Sequence, residues 1–389
     1  NSNNGSNDIS FTWTYIASPP ELVFSSDTIS TGTIVTNASG HTFTITPSGN
    51  YLIPEDISFD SLTADDFTFV DCSLVRFTNN SYDNNNWELE ITTPSDSSNV
   101  HVYVDANKFE NKFGIQNDVS FSSAIWTYDK TKPSVSISSA NRKSEDVIGG
   151  VWYSNEGTID LSFTIDRISD ISGDLSKNDV SISPVGKGSL GNLTRHVINN
   201  TVVFSGEFDV SINDPSSQTF TFQVLNDKFT DSAGNSNAAS DSFSWTYDTE
   251  RPTLTIAGTV SGEDISSGDY VNPGEKQLIL QLNLTKGSNT FSVGDIDISS
   301  RVIRGPALSY NSSSALSYIT DPEVGSYYLF SFSPSGDLSI EREIQYTFTI
   351  PQGSFTDYAD NSNNEDVSFV WNYDTKAPEI TLEVIQPSD

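Results

Sequence analysis

Apolar residues fall on every second position in a short stretch that recurs along the 389-residue chain: Phe11, Trp13, Tyr15; Phe243, Trp245, Tyr247; and Phe369, Trp371, Tyr373. A further copy reads Ile125-Trp126-Thr127-Tyr128-Asp129. A period of two is that of a β-strand with one buried face. Each copy ends shortly before a proline, at Pro19 and Pro20, Pro133, Pro252 and Pro378, so the strand closes one unit and the proline opens the next. The tryptophans are 113, 119 and 126 residues apart, the length of a small β-sandwich domain and far longer than a solenoid repeat.

Between the tryptophan strands the same alternation predicts further strands. In the first repeat they fall at 22–24, 42–46, 67–69, 87–91, 100–104 and 124–128. In the second they fall at 135–137, 159–165, 180–182, 202–208, 220–224 and 243–247, and in the third at 254–256, 278–284, 296–298, 328–332, 346–350 and 369–373. Glycine, proline, Asn and Asp punctuate them, and no window carries a helical period. The expected architecture is all-β: three tandem Ig-like sandwiches of about seven strands each. Domain 1 spans 17–129, domain 2 spans 130–248 and domain 3 spans 249–374. Residues 1–16 read as the closing strand of a preceding partial repeat, and residues 375–389 as the opening strand of a following one.

Composition adds limits. The 23 Phe, 15 Tyr and 6 Trp supply enough apolar mass for three cores, which excludes a disordered chain. With 52 acidic against 19 basic residues the formal charge is −33, a field that repels phosphate backbones and anionic membranes, so no nucleic acid is expected as a partner. Cys72 is the one cysteine, so no intrachain disulfide can clamp the sheets. No segment approaches the roughly 20 apolar residues of a membrane span, and no membrane contact is expected within these residues.

A second marker precedes each closing strand: Phe109-Glu110-Asn111, then Phe229-Thr230-Asp231-Ser232-Ala233-Gly234-Asn235 and Phe355-Thr356-Asp357-Tyr358-Ala359-Asp360-Asn361. A third is an acidic residue opening a mid-domain strand, at Asp66, Asp179 and Asp295. With these loops and the Trp-x-Tyr-Asp junctions before proline, the chain resembles the tandem bacterial Ig-like repeats of large extracellular adhesin and stalk proteins. The likeness is closest at 229–252 and weakest in the first repeat. It implies an extracellular or cell-surface location, and calcium at the domain junctions. Ca²⁺ takes six to eight oxygens. By position, Asp231 and Asp248 could converge between repeats 2 and 3, Asp357 and Asp374 beyond repeat 3, and Asn111 with Asp129 between repeats 1 and 2. The plainer alternative is that Asp and Asn stand there because they stabilise turns.

Other chemistry is thin. His41, His101 and His196 have no partner at metal-ligand spacing, and no nucleophile motif stands out, so an enzyme is not expected. Tryptophan recurring once per domain reads as core before it reads as a sugar platform. Seven Asn-x-Ser/Thr sequons, at Asn4, Asn37, Asn79, Asn192, Asn199, Asn283 and Asn311, are candidate N-glycosylation acceptors, although chance accounts for that number in so Asn- and Ser-rich a chain.

Three functions remain in view. The first is a non-catalytic rod, part of an adhesin or stalk, whose partners are further repeats of a longer chain. The second is a head-to-tail filament of copies of this chain, joined by strand donation through Ile9, Phe11, Trp13 and Tyr15 at one end and Ile380, Leu382 and Val384 at the other. The third is a glycan-binding array, which needs aromatic side chains exposed on one face.

Overall fold

The computed structural model describes residues 18–383 apart from 30–33, 49–60, 81–85, 140–146, 169–170, 200, 212–216, 272–276, 311–315, 322–324 and 338. Alternating residues build strands, and the strands pair into three sandwiches of one topology. In the first, one sheet runs in the order Glu21–Ser25, Gly40–Ser48, Asn86–Thr92, Ser73–Asn80. The facing sheet runs Ile34–Thr36, Trp126–Tyr128, Ser97–Val104, Phe67–Val70. The second sandwich repeats this with Val135–Ser138, Thr158–Ile168 and Thr201–Val210 against Val151–Ser154, Phe243–Asp248, Ser217–Val224 and Val180–Ser183. The third sets Leu254–Val260, Leu278–Leu284, Gly325–Phe332 and Leu316–Asp321 against Tyr270–Val271, Val367–Asp374, Glu343–Ile350 and Asp297–Arg304.

Each sandwich has its own core, and among the described residues no cluster of buried apolar side chains extends from one into the next. The alternation explains this directly: Glu343–Ile350 buries Ile344, Tyr346, Phe348 and Ile350 and turns Glu343, Gln345, Thr347 and Thr349 outward. Trp126, Trp245 and Trp371 sit at equivalent places, each at most 1% exposed, with Phe43, Phe220 and Tyr346 within 6 Å as ring neighbours. Trp87, outside that register, is buried too, at the position where the other two units have Phe204 and Tyr328.

The mid-domain acids are structural. Asp66, Asp179 and Asp295 each accept the backbone N–H and the hydroxyl of the residue three before, Thr63, Ser176 and Ser292, and so close a capping box on a short 3₁₀ turn.

Two kinds of strand escape the alternation. One is a short strand that runs parallel to the tryptophan strand: Ile34–Thr36, Val151–Ser154 and Tyr270–Val271. The other is a hairpin partner such as Thr194–Ile198, which is exposed along its whole length and so has no inward face to mark it. The expected strand at 380–384 is not formed as far as residue 383, and Ile380 and Leu382 are 85% and 88% exposed. A strand exists only against a partner's hydrogen-bonding edge, and among the described residues none meets this segment. Val384, Ile9, Phe11, Trp13 and Tyr15 lie outside the described residues.

Candidate functional site at the interunit joints

In units 2 and 3 the loop before the closing strand lies at the end of its sandwich where the preceding unit arrives, opposite the end at which its own closing strand leaves. The acids therefore meet in an order shifted by one unit from the expected pairs. Asn235, held by Asp231, reaches Asp129 rather than Asp248, and Asn361, held by Asp357, reaches Asp248 rather than Asp374. A closing strand and the loop before it sit at opposite poles of one sandwich, so residues of one repeat cannot both reach the same joint.

At the joint between units 1 and 2, the Asn235 side chain donates from Nδ2 to the backbone oxygen of Asp129 at 2.8 Å. The Asn37 backbone N–H, just past the parallel edge strand of unit 1, donates to the Ala233 oxygen at 3.1 Å. The joint between units 2 and 3 repeats both bonds: Asn361 Nδ2 to the Asp248 oxygen at 2.8 Å, and Asn155 N–H to the Ala359 oxygen at 3.0 Å. One loop thus grips the upstream unit twice, once by a side chain and once by the main chain.

The loop acids hold the grip in shape. Asp231 accepts the Asn235 N–H at Oδ1, 2.8 Å, and its Nδ2 at Oδ2, 3.0 Å. Asp357 accepts the N–H groups of Ala359 and Asn361 at Oδ1, both 2.9 Å, and Asn361 Nδ2 at Oδ2, 3.1 Å. Burial raises the Asp357 carboxyl above its ordinary value against the pull of these donors, and the Asp248 charge across the joint pushes in the same direction as burial.

Beneath the grip a second asparagine, outside the motifs that the sequence made conspicuous, ties the loop to its own sandwich. Asn237 accepts the N–H groups of Lys228 and Phe229 at Oδ1 and donates Nδ2 to the Leu225 and Ala238 oxygens. Asn117 in unit 1 accepts from Lys108 and Phe109 and donates to the Asp105 and Val119 oxygens, and Asn363 in unit 3 accepts from Phe355 and donates to the Pro351 and Glu365 oxygens. The recurrent Asn two residues after the gripping position is the signal that marks it.

In unit 1 the loop departs from the pattern. Asn111 stands for the acid and Ile115 for the gripping asparagine. Asn111 Oδ1 still accepts two loop N–H groups, from Phe113 and Ile115, and its Nδ2 is buried without a hydrogen-bond partner among the described residues.

The donor set at these joints does not fit calcium. The carboxylate oxygens of Asp231 and Asp357 are occupied by N–H donors, and both oxygens of Asp248 face the Lys286 ammonium at 2.7 Å. Asp129 and Asp374 cap the turns after their own strands, accepting the N–H groups of Thr131 and Lys376 at Oδ1. Among the described residues no three acidic, imidazole or thiol side chains gather into a cation site. His41 is a core residue, in contact with Thr28 Oγ1 and the Ala38 oxygen, and burial lowers its pKa.

Of the sequon asparagines, Asn37, Asn79, Asn192 and Asn199 are exposed or partly so, and Asn283 is half-buried in a strand. Asn4 and Asn311 lie outside the described residues.

No family model matches the sequence, and no curated protein matches it. Among solved structures, the extracellular cadherin domains 1–4 of protocadherin Gamma B7 are similar over 92% of this chain and 72% of that one, at 11% identity and a TM-score of 0.26. The N-terminal eight Ig domains of Down Syndrome Cell Adhesion Molecule are similar over 91% of this chain and 37% of that one, at 12% identity and a TM-score of 0.19. For extracellular cadherin domains 1–5 of protocadherin Gamma B2 the shares are 89% and 59%, with 9% identity and a TM-score of 0.25. All three superpositions are loose.

Proposed function

We propose that the chain is a non-catalytic, extracellular structural array, a length of adhesin or stalk in which sandwiches spanning 17–129, 130–248 and 249–374 are coupled end to end. The carrying observation is that one pair of hydrogen bonds, asparagine side chain to upstream carbonyl and upstream N–H to loop carbonyl, occurs at both joints. A flexible tether needs no such grip. Separate units on mobile linkers would leave these loop groups to water, whereas a repeated grip fixes spacing and angle, which is what a spacer supplies. The high negative charge keeps such rods apart in solution. The resemblance of the loop and junction motifs to bacterial surface repeats supports the same role.

Small-angle scattering of the full chain tests this reading. An elongated particle with a narrow distribution of end-to-end lengths is expected, and a compact particle or a freely jointed one overturns it.

A second reading, a head-to-tail filament of copies of this chain, is favoured by one observation: Ile380 and Leu382 alternate with polar residues and are nearly fully exposed. Sedimentation over a wide concentration range decides it. Filaments growing with concentration, and lost in the variant with Ile380→Lys and Leu382→Lys, are the expected result; one monodisperse species throughout removes it.

A further inference from the structure

Unit 3 carries a cavity walled by tyrosines that unit 2 lacks at the matching positions. It has a volume of about 510 Å³ and is lined by Lys286, Ser288, Tyr318, Ser326, Tyr328 and Tyr358 among others, close to the joint with unit 2. That volume lies within the range of small-molecule sites.

Three tyrosines shape it. Tyr318 is 60% exposed, an unusual place for so large a ring, and stands 5.1 Å from Tyr328 with the ring planes inclined at 56°. Tyr328 is braced from behind by Phe291 at 5.1 Å and by its hydroxyl donating to the Ser288 oxygen at 3.3 Å. Tyr358 lies across Gly287, where an added Cβ would come within 2.3 Å of its ring, so only glycine admits the tyrosine there. It is braced on the other side by Tyr153 of unit 2 at 6.1 Å. At the matching strand and loop positions unit 2 has Phe204, Arg195 and Ser232, which offer neither exposed ring nor convergent hydroxyls.

The chemistry of the walls selects the ligand. Oblique aromatic faces offer stacking surface to the C–H face of a pyranose, and phenol and serine hydroxyls around them both donate and accept, as sugar hydroxyls require. Burial, with the neighbouring phenols adding, raises the pKa of Tyr328 and Tyr358, so these hydroxyls remain neutral. Lys286, the cation among the lining residues, already faces Asp248 and Glu250, and the chain as a whole repels anions. A second cavity, of about 630 Å³ beside Val135 and Phe243, has no tyrosine among its described lining residues.

We propose that this cavity is a binding site for a neutral oligosaccharide, stacked on Tyr318 and reaching Tyr328 and Tyr358. Unit 3 then combines a spacer's place in the array with a glycan contact.

Calorimetric titration of the full chain with cellohexaose, mannohexaose, xylohexaose and a galactose hexamer tests it, beside a hyaluronan fragment and a proline decapeptide. Binding of at least one neutral hexamer is expected, with a Kd of about 0.1–1 mM, and Tyr318→Ala weakens it about tenfold, the loss of one stacked ring. Because Tyr318 is exposed, that variant keeps its unfolding temperature. Gly287→Ala, which displaces Tyr358, also weakens binding. No heat with any neutral hexamer, binding unchanged by Tyr318→Ala, or binding confined to hyaluronan or the peptide overturns the proposal.

Discussion

The two joints share one grip and differ in what surrounds it. Between units 2 and 3 the Lys286 ammonium bridges both oxygens of Asp248 and the Glu250 backbone and carboxylate, at 2.7–3.2 Å, with little of the lysine or Asp248 exposed. The ring pair Tyr153–Tyr358 closes over it. At the matching places between units 1 and 2 stand Val35 and Ser232, which cannot stack. The lesson is that hydrogen bonds common to both joints set where units meet, while a ring pair present at one joint and replaced by Val35 and Ser232 at the other adds to how firmly they stay. The array is expected to be graded in stiffness, tighter toward unit 3.

The largest effect on this contrast comes from removing the grip itself. Asn361→Ala strips partners from the buried Asp357 carboxylate and the Asp248 carbonyl, at an expected cost of about 3 kcal/mol to unit 3, and Asn235→Ala costs unit 2 a similar amount. Calorimetric unfolding that resolves the units checks both. Next, Lys286→Met leaves Asp248 without its counter-ion and lowers stability by about 2 kcal/mol, lessened in high salt, with no effect on the joint between units 1 and 2. Pairs of spin labels across each joint should report a broader distance distribution between units 1 and 2 than between units 2 and 3, and Tyr358→Ser, which removes the ring pair, should narrow the difference. Excess chelator should leave every unfolding temperature within about 1 °C, because N–H donors and an ammonium stand where calcium would.

The smallest effect is on pH dependence. A carboxyl whose folded pKa is raised binds its proton more tightly when folded. The contribution of Asp357 to stability is therefore greatest below the ordinary aspartate value and falls as pH climbs through the raised one. Asp357→Asn, which places there the residue that unit 1 carries at 111, should flatten that slope in acid unfolding titrations.

The strands that bury one face were legible in the sequence because side-chain alternation and the sheet share a period. Trp371 and Tyr346 announce themselves that way. Thr194–Ile198 and the short parallel strands are not legible, since the first is exposed throughout and the second are two to four residues long. For the joints, the sequence pairs Asp231 with Asp248 and Asp357 with Asp374 within one repeat, whereas the hydrogen bonds across each joint join neighbouring repeats. Sequence spacing does not reveal which pole of a sandwich a loop occupies. The gripping residues Asn235 and Asn361 were in view as part of a motif, but their role depends on a carbonyl 106 and 113 residues away, which no local pattern encodes.

The parallel strand beside each closing strand has a mechanical consequence. Ile34–Thr36 and Trp126–Tyr128 run side by side in the same direction, as do Val151–Ser154 and Phe243–Asp248. When the chain is drawn taut from its two ends, such a pair slides lengthwise rather than peeling open, so its evenly spaced bonds are loaded together instead of one after another. Under tension each bead is thus closed by a latch in shear.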